Sequence, residues 1–209
     1  AKVQELKERA LEKLSSGDVA MRRRLSAEIN GLHGIYGHDL NLAKRDMHLL
    51  VSTDTYQGRT AAEVLREFLL HQGINSDVLI PSRLSTKDTE AFSSGIKELI
   101  SWCDKEIPGY RRAGYRIIFN LVGGFKAFQG YMNTIGMFYA DQIVYIFEAA
   151  NADLITIPRL PIEFKLDVLK PYAVWLAMMA EGYLCPIERL EGLPEIFVDT
   201  EGSHATLST

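Results

Sequence analysis

The sequence predicts an α/β fold, a mostly parallel sheet flanked by helices with an antiparallel hairpin at one edge. Four observations carry that prediction. Tyr115 to Val122 is a nearly continuous apolar run, the pattern of a strand covered on both faces. It breaks at Gly123-Gly124 into an apolar series at helical spacing, Phe125, Phe128, Met132, Ile135 and Tyr139. Met47 to Thr53 followed by a helix from Arg59 to His71 repeats the same strand–turn–helix order. Finally, the strands Gln142–Glu148 and Asp153–Ile157 are separated only by Ala149 to Ala152, so they form a hairpin and one edge is antiparallel.

Taken in order, Lys2 to Leu14 reads as a helix whose stripe is Val3, Leu6, Ala10 and Leu14. Asp18 is a candidate N-cap for a second helix from Val19 to Leu32. Gly31 to Asp46 reads as a loop; His33 and His38 within it lack a third metal ligand. After the Met47–Thr53 strand and its helix, Gly73 is the stop, and Asp77 to Ile80 is a short strand closed by Pro81. Phe92, Ile96, Leu99 and Ile100 mark an amphipathic helix from Asp88 to Lys105, and Ile107 to Gly114 reads as a polar turn into the central strand. Leu166 to Met179 reads as the last helix, and Gly192 to Thr209 as irregular. One feature is unusual for this architecture, which ordinarily begins on a central strand: the sequence opens on a helix.

With 209 residues, 47% of them hydrophobic and 24% charged, the chain can bury a sizeable core. A net charge of -4 argues against general nucleic-acid binding, and no direct DNA binding is expected. Cys103 and Cys185 are isolated, without metal-ligand spacing, and read as reduced thiols of a cytoplasmic protein. No apolar run is long enough to span a bilayer, so no membrane partner is expected.

The chemistry is expected at the two strand–turn–helix junctions, because the carboxyl edge of an open α/β sheet is where ligands bind and helix N-termini attract anions. Lys126 occupies the first helical turn, where the helix dipole disfavours a cation by a few tenths to about 1 kcal/mol, so a lysine there suggests an anion such as phosphate nearby. At the first junction Ser52, Thr53, Asp54 and Thr55 offer hydroxyls and a carboxylate, and Gly58 allows close backbone approach. The blander readings are that Asp54 or Thr55 only caps the helix, and that Lys126 is simply solvated.

The segments SAEIN (Ser26 to Asn30), LLVSTDTYQGRTAAEVL, IIFNLVGGFKA, VYIFE and LITIPRLPIEF, in that order, resemble the CARF-domain CRISPR-associated proteins, in particular the Csm6-like and ring-nuclease group of type III systems. The resemblance covers roughly Ser26 to Phe164. It implies a Rossmann-like domain over residues 1–165, a homodimer, and a cyclic oligoadenylate, most often the tetramer, lying across the two-fold axis. Residues 166–209 would then be a C-terminal helix and linker toward a fused effector region. Carried over by position, Lys126 matches the lysine that contacts ligand phosphate and ribose, and Gly123, Gly124 and Phe125 match the backbone of that loop. Ser52, Thr53, Asp54, Thr55 and Gly58 match the second ligand loop. There this chain has Ser52-Thr53-Asp54-Thr55 where the family has Ser-Asp-Thr, which leaves open which group faces the ligand. Asp54 and the Tyr56-Gln57 pair are candidates for the adenine pockets. The family's opening strand, ending in Gly-Thr-Ser, has no counterpart here, so the expectation is a piece of a longer protein with half of the ligand site outside it.

The resemblance implies a sensor that binds a cyclic oligoadenylate and passes the change to an effector. The alternative is a ring nuclease, in which a ribose 2′-hydroxyl attacks its own phosphodiester while Lys126 acts as catalytic residue by stabilising the phosphate charge. Neither needs a cofactor or a metal. A dinucleotide-dependent oxidoreductase is disfavoured because no G-x-G-x-x-G follows a strand, and a serine hydrolase because G-x-S-x-G is missing.

Overall fold

A computed structural model of the chain describes residues 2–147, 153–163 and 165–208. The protein is mixed α/β and divides into two compact units, Ala1–Pro161 and Ile162–Thr209.

The first unit begins with helices α1 (Lys2–Ser16), α2 (Val19–Leu25) and α3 (Ala27–Ile35), then a 3-10 helix at Leu40–Arg45. The single helix expected over Val19–Leu32 is therefore two. Ser26 divides them: its backbone is extended, its N–H closes α2 on the Arg22 carbonyl, and its Oγ accepts from Ile29 N to open α3. The loop expected from Gly31 onward is helical for much of its length, because Gly31, Leu32 and His33 lie on the buried face of α3.

Strand β1 (Met47–Val51) pairs in parallel with β2 (Asn75–Leu79), joined by helix α4 (Tyr56–His71). Helix α5 (Thr89–Arg112) takes in most of the turn expected at Ile107–Gly114, despite Pro108. Burial of Cys103 and Ile107, and the Arg111 guanidinium bonded to the Tyr139 carbonyl and to Asp141, hold the extra turns in place. The helix ends where Gly114 takes a positive φ of 86° and Tyr115 N reaches back to the Tyr110 carbonyl.

Strand β3 (Ile118–Asn120) is much shorter than the apolar run Tyr115–Val122 suggested. Tyr115 is largely exposed and packs edge-on against Tyr110, and Ile117 N bonds the Asp141 carboxylate instead of a strand. Helix α6 (Lys126–Tyr139) leads to β4 (Gln142–Ile146), parallel to β3, and β4 pairs antiparallel with β5 (Leu154–Pro158). The hairpin expected from the sequence is thus present, in the register Ile143↔Ile157 and Tyr145↔Ile155; its connecting residues, 148–152, lie outside the described residues.

One core cluster joins α5 and α6 to the sheet through Leu99, Cys103, Leu121, Ile135 and Ile143. A second gathers Leu14, Ile29, Leu32, Phe68, Leu69 and Ile74 from α1, α3, α4 and the approach to β2. Among the described residues β1 pairs only with β2, and β3 only with β4, so each has one edge without a ladder. The side chains of β3 are half-buried rather than fully covered.

In the second unit the helix expected at Leu166–Met179 starts late. Pro171 lacks the N–H that a continuous helix needs, and the segment forms 3-10 turns at Leu166–Val168 and Lys170–Tyr172 before α7 (Ala173–Ala180). The tail expected to be irregular is a small antiparallel sheet, β6 (Cys185–Pro186), β7 (Val198–Glu201) and β8 (His204–Leu207), in the order β6-β8-β7. Gly202, at φ +60°, turns β7 into β8. Met179, Cys185, Leu190, Leu193 and Ala205 form its core.

Both cysteines are free and buried, and burial pushes the Cys103 thiol up to about 12. No described helix is long and apolar enough to cross a membrane.

Candidate functional site

Val51 and Leu79, the last residues of β1 and β2, pack against the same core cluster as Leu121, the first residue after β3. The carboxyl ends of these strands therefore share one core, and both junctions singled out in the sequence emerge from it.

At the β1–α4 junction nearly every polar group has an internal partner. Ser52 is buried, its N–H on the Leu79 carbonyl and its hydroxyl donating to the Thr53 carbonyl. The Thr53 and Thr55 hydroxyls meet at 2.9 Å, and Thr55 caps α4 by accepting from Gly58 N. A Cβ on Gly58 would lie 2.1 Å from Thr53 Oγ1, so only glycine fits beneath this cap. The Asp54 carboxylate accepts from the Arg59 guanidinium at 2.5 and 3.1 Å and from Arg83 N at 3.0 Å. Those bonds, Arg59 first, hold its carboxyl below the ordinary range. Tyr56 and Gln57 project into solvent from the first turn of α4.

The β3–α6 junction is arranged the other way. Gly124 takes a φ of +98°, and a Cβ on Gly123 would lie 2.1 Å from Glu28 Oε1. Phe125 enters the helix without a side-chain cap, and α6 has no acidic residue in its first turn. Helices α2, α3, α4 and α5 all carry capping side chains, from Asp18, Ser26, Thr55 and Asp88. The first N–H groups of α6 are left to water or a ligand. Lys126 is exposed and has no ion pair among the described residues. Phe125 packs against Phe92 at 5.8 Å and Phe128 at 5.7 Å between ring centroids, which anchors the loop without using its polar groups.

Three residues that the sequence reading did not single out shape this turn. Asn120 donates to the Glu28 carbonyl and accepts from Val122 N, and Gln129 donates to the carbonyls of Leu121 and Gly123. The Glu28 carboxylate takes the Ser26 hydroxyl at 2.7 Å, so the start of α3 borders the glycine turn. The close approach at Gly123 was the available signal, but its neighbour is 95 positions away in sequence. His33 and His38 do come close, with ring centroids 6.2 Å apart, yet the described residues contain no group of three metal-ligating side chains.

A family model for a CRISPR-associated protein (Cas_APE2256) matches residues 23–160, about two thirds of the chain. The chain belongs to that family. The match runs from within α2 to just past β5 and includes both junctions, so the glycine turn and the capped serine–threonine loop are parts of a CRISPR-associated protein.

Proposed function

We propose that this CRISPR-associated protein binds a cyclic oligoadenylate at the carboxyl edge of its sheet. In this reading two copies join as a homodimer, each presenting one glycine turn to a single ring, and binding shifts the pair and signals to an effector region. The observation that carries the reading is the β3–α6 turn: an uncapped helix N-terminus with an exposed, unpaired Lys126, the arrangement a phosphodiester needs. Glu28, beside Gly123, would accept from a ribose hydroxyl, and Tyr56 is exposed for stacking on a base. The Asp54 carboxylate already accepts from Arg59 and from Arg83 N, and an adenine contact would add to those bonds through its remaining lone pairs.

Calorimetry with cyclic tetra-adenylate tests binding, and chromatography of the mixture reports the fate of the ring. Intact ring bound at one per two chains supports a sensor. Linear products with cyclic 2′,3′-phosphate ends make it a ring nuclease. No heat and no products, with the protein folded, would remove the proposal.

A further inference from the structure

Arg83 holds a backbone conformation that its side chain disfavours. Its φ is +62°, and the only other described non-glycine residue with a positive φ is His38, which follows Gly37 where the chain turns out of α3. Arg83 occupies the third position of a tight turn, Pro81 to Leu84, closed by Leu84 N on the Pro81 carbonyl. A positive φ at that position calls for glycine or asparagine.

The surroundings impose this conformation. Leu84 is fully buried in the core that also holds Leu121, and its carbonyl accepts from Asp54 N at 2.6 Å. The Asp54 carboxylate takes the Arg83 N–H at 3.0 Å, so the turn is fastened at the strained residue and just after it. Strain of this kind persists where a fold over-determines it, and it collects at ligand-binding segments.

What the guanidinium gains inside the molecule does not account for its place. Its charged partner among the described residues is Glu90, at 3.2 Å, in a pair whose side chains are 56% and 85% exposed. So exposed a pair contributes little. Asp54 does not neutralise the guanidinium either, because that carboxylate is bonded to the Arg59 side chain and to the Arg83 backbone. The turn lies just beyond the carboxyl end of β2. From it the chain runs into α5, where Phe92 packs on Phe125, the residue before Lys126, at 5.8 Å between ring centroids. The loop with the strained arginine thus leads directly to the neighbour of the exposed lysine.

We propose that Arg83 is a second phosphate-binding residue of the candidate site, reaching a different phosphate of the cyclic oligoadenylate from the one held at Lys126. This rests on the reading that the glycine turn binds such a ring. On binding, the planar guanidinium exchanges the solvated Glu90 carboxylate for two oxygens of a phosphate, a group its fork fits equally well. The strained turn presents this side chain to the ligand and adds nothing to the stability of the free protein.

A thermal melt and calorimetry with cyclic tetra-adenylate, both on the whole chain, test the assignment together. Arg83→Gly removes the guanidinium and suits the positive φ. It should melt no lower than the wild type yet bind roughly tenfold more weakly, the loss of one charged hydrogen bond. Arg83→Asn, which also tolerates this φ, should behave in the same way, and Arg83→Lys should recover part of the affinity. Glu90→Ala should bind at least as tightly as the wild type, because it releases the arginine. Wild-type affinity in Arg83→Gly, beside a loss in Lys126→Ala, would overturn the role of Arg83 and leave the ring site standing. A melt that falls together with affinity in both Arg83→Gly and Arg83→Asn would assign the residue to the fold instead. No heat from the folded wild type would remove the ring reading, and Arg83 with it.

Discussion

The two strand–turn–helix junctions of this protein have the same order and opposite organisation. The β1–α4 junction is closed on itself: a hydroxyl pair, a side-chain cap and an ion pair consume its polar groups. The β3–α6 junction is held by aromatic packing and by amides reaching its carbonyls, so its N–H groups and its lysine stay available. A loop rich in hydroxyls and carboxylates is therefore not by itself a binding loop. Such groups near a helix start are strong caps, and a cap and a ligand compete for the same N–H groups.

Substitutions can separate the closed junction from the open one. The largest effect is expected from Gly58→Ala, whose Cβ meets Thr53 Oγ1 at 2.1 Å and the Thr53 carbonyl at 2.9 Å. Overpacking of this kind costs ~1–3 kcal/mol, and a thermal melt should show the loss without any ligand. Gly123→Ala meets the far end of the flexible Glu28 side chain instead and should melt closer to wild type; equal losses would dissolve the contrast. Lys126→Ala should leave the melt unchanged and weaken cyclic tetra-adenylate binding by ~1.5–3 kcal/mol, the scale of a charged hydrogen bond, measured by calorimetry. Wild-type affinity in that variant would take the lysine out of the site. Phe125→Ala should lose ~0.5–1.5 kcal/mol per aromatic pair and lower both stability and affinity, since the rings position the loop.

The smallest effect belongs to Asp54→Asn, because its ion pair with Arg59 is partly solvated. Its carboxyl is held below the ordinary value of 3.8, so its contribution is complete above that pH and is lost as pH falls through the lowered value. Acid titration of stability should therefore show a slightly shallower limb in the variant, and identical limbs would mean that Asp54 tethers nothing.

Much of the architecture was readable because it follows from local patterns. The period of the α6 apolar face, the strand at Met47–Val51 and the short link between β4 and β5 depend on residues within a few positions of one another. The misread segments are those where a distant contact overrides a local signal. Ile107–Gly114 reads as a polar turn, but Arg111 bonded to Tyr139 and Asp141 carries α5 on to Arg112. The run Tyr115–Val122 reads as a fully covered strand, but it pairs with one neighbour only.

The sequence by itself determined the alternation of strands and helices, the two glycine-bearing junctions and the position of Lys126, because spacing and backbone preference are written residue by residue. Only the tertiary structure decided which junction keeps its N–H groups free and which uses its side chains up. It also buried His33, whose location in a helix the local pattern read as a loop. Whether a polar group is satisfied depends on what the fold brings to it, here Arg83 to Asp54 and Glu28 to Gly123, across distances that no local pattern records.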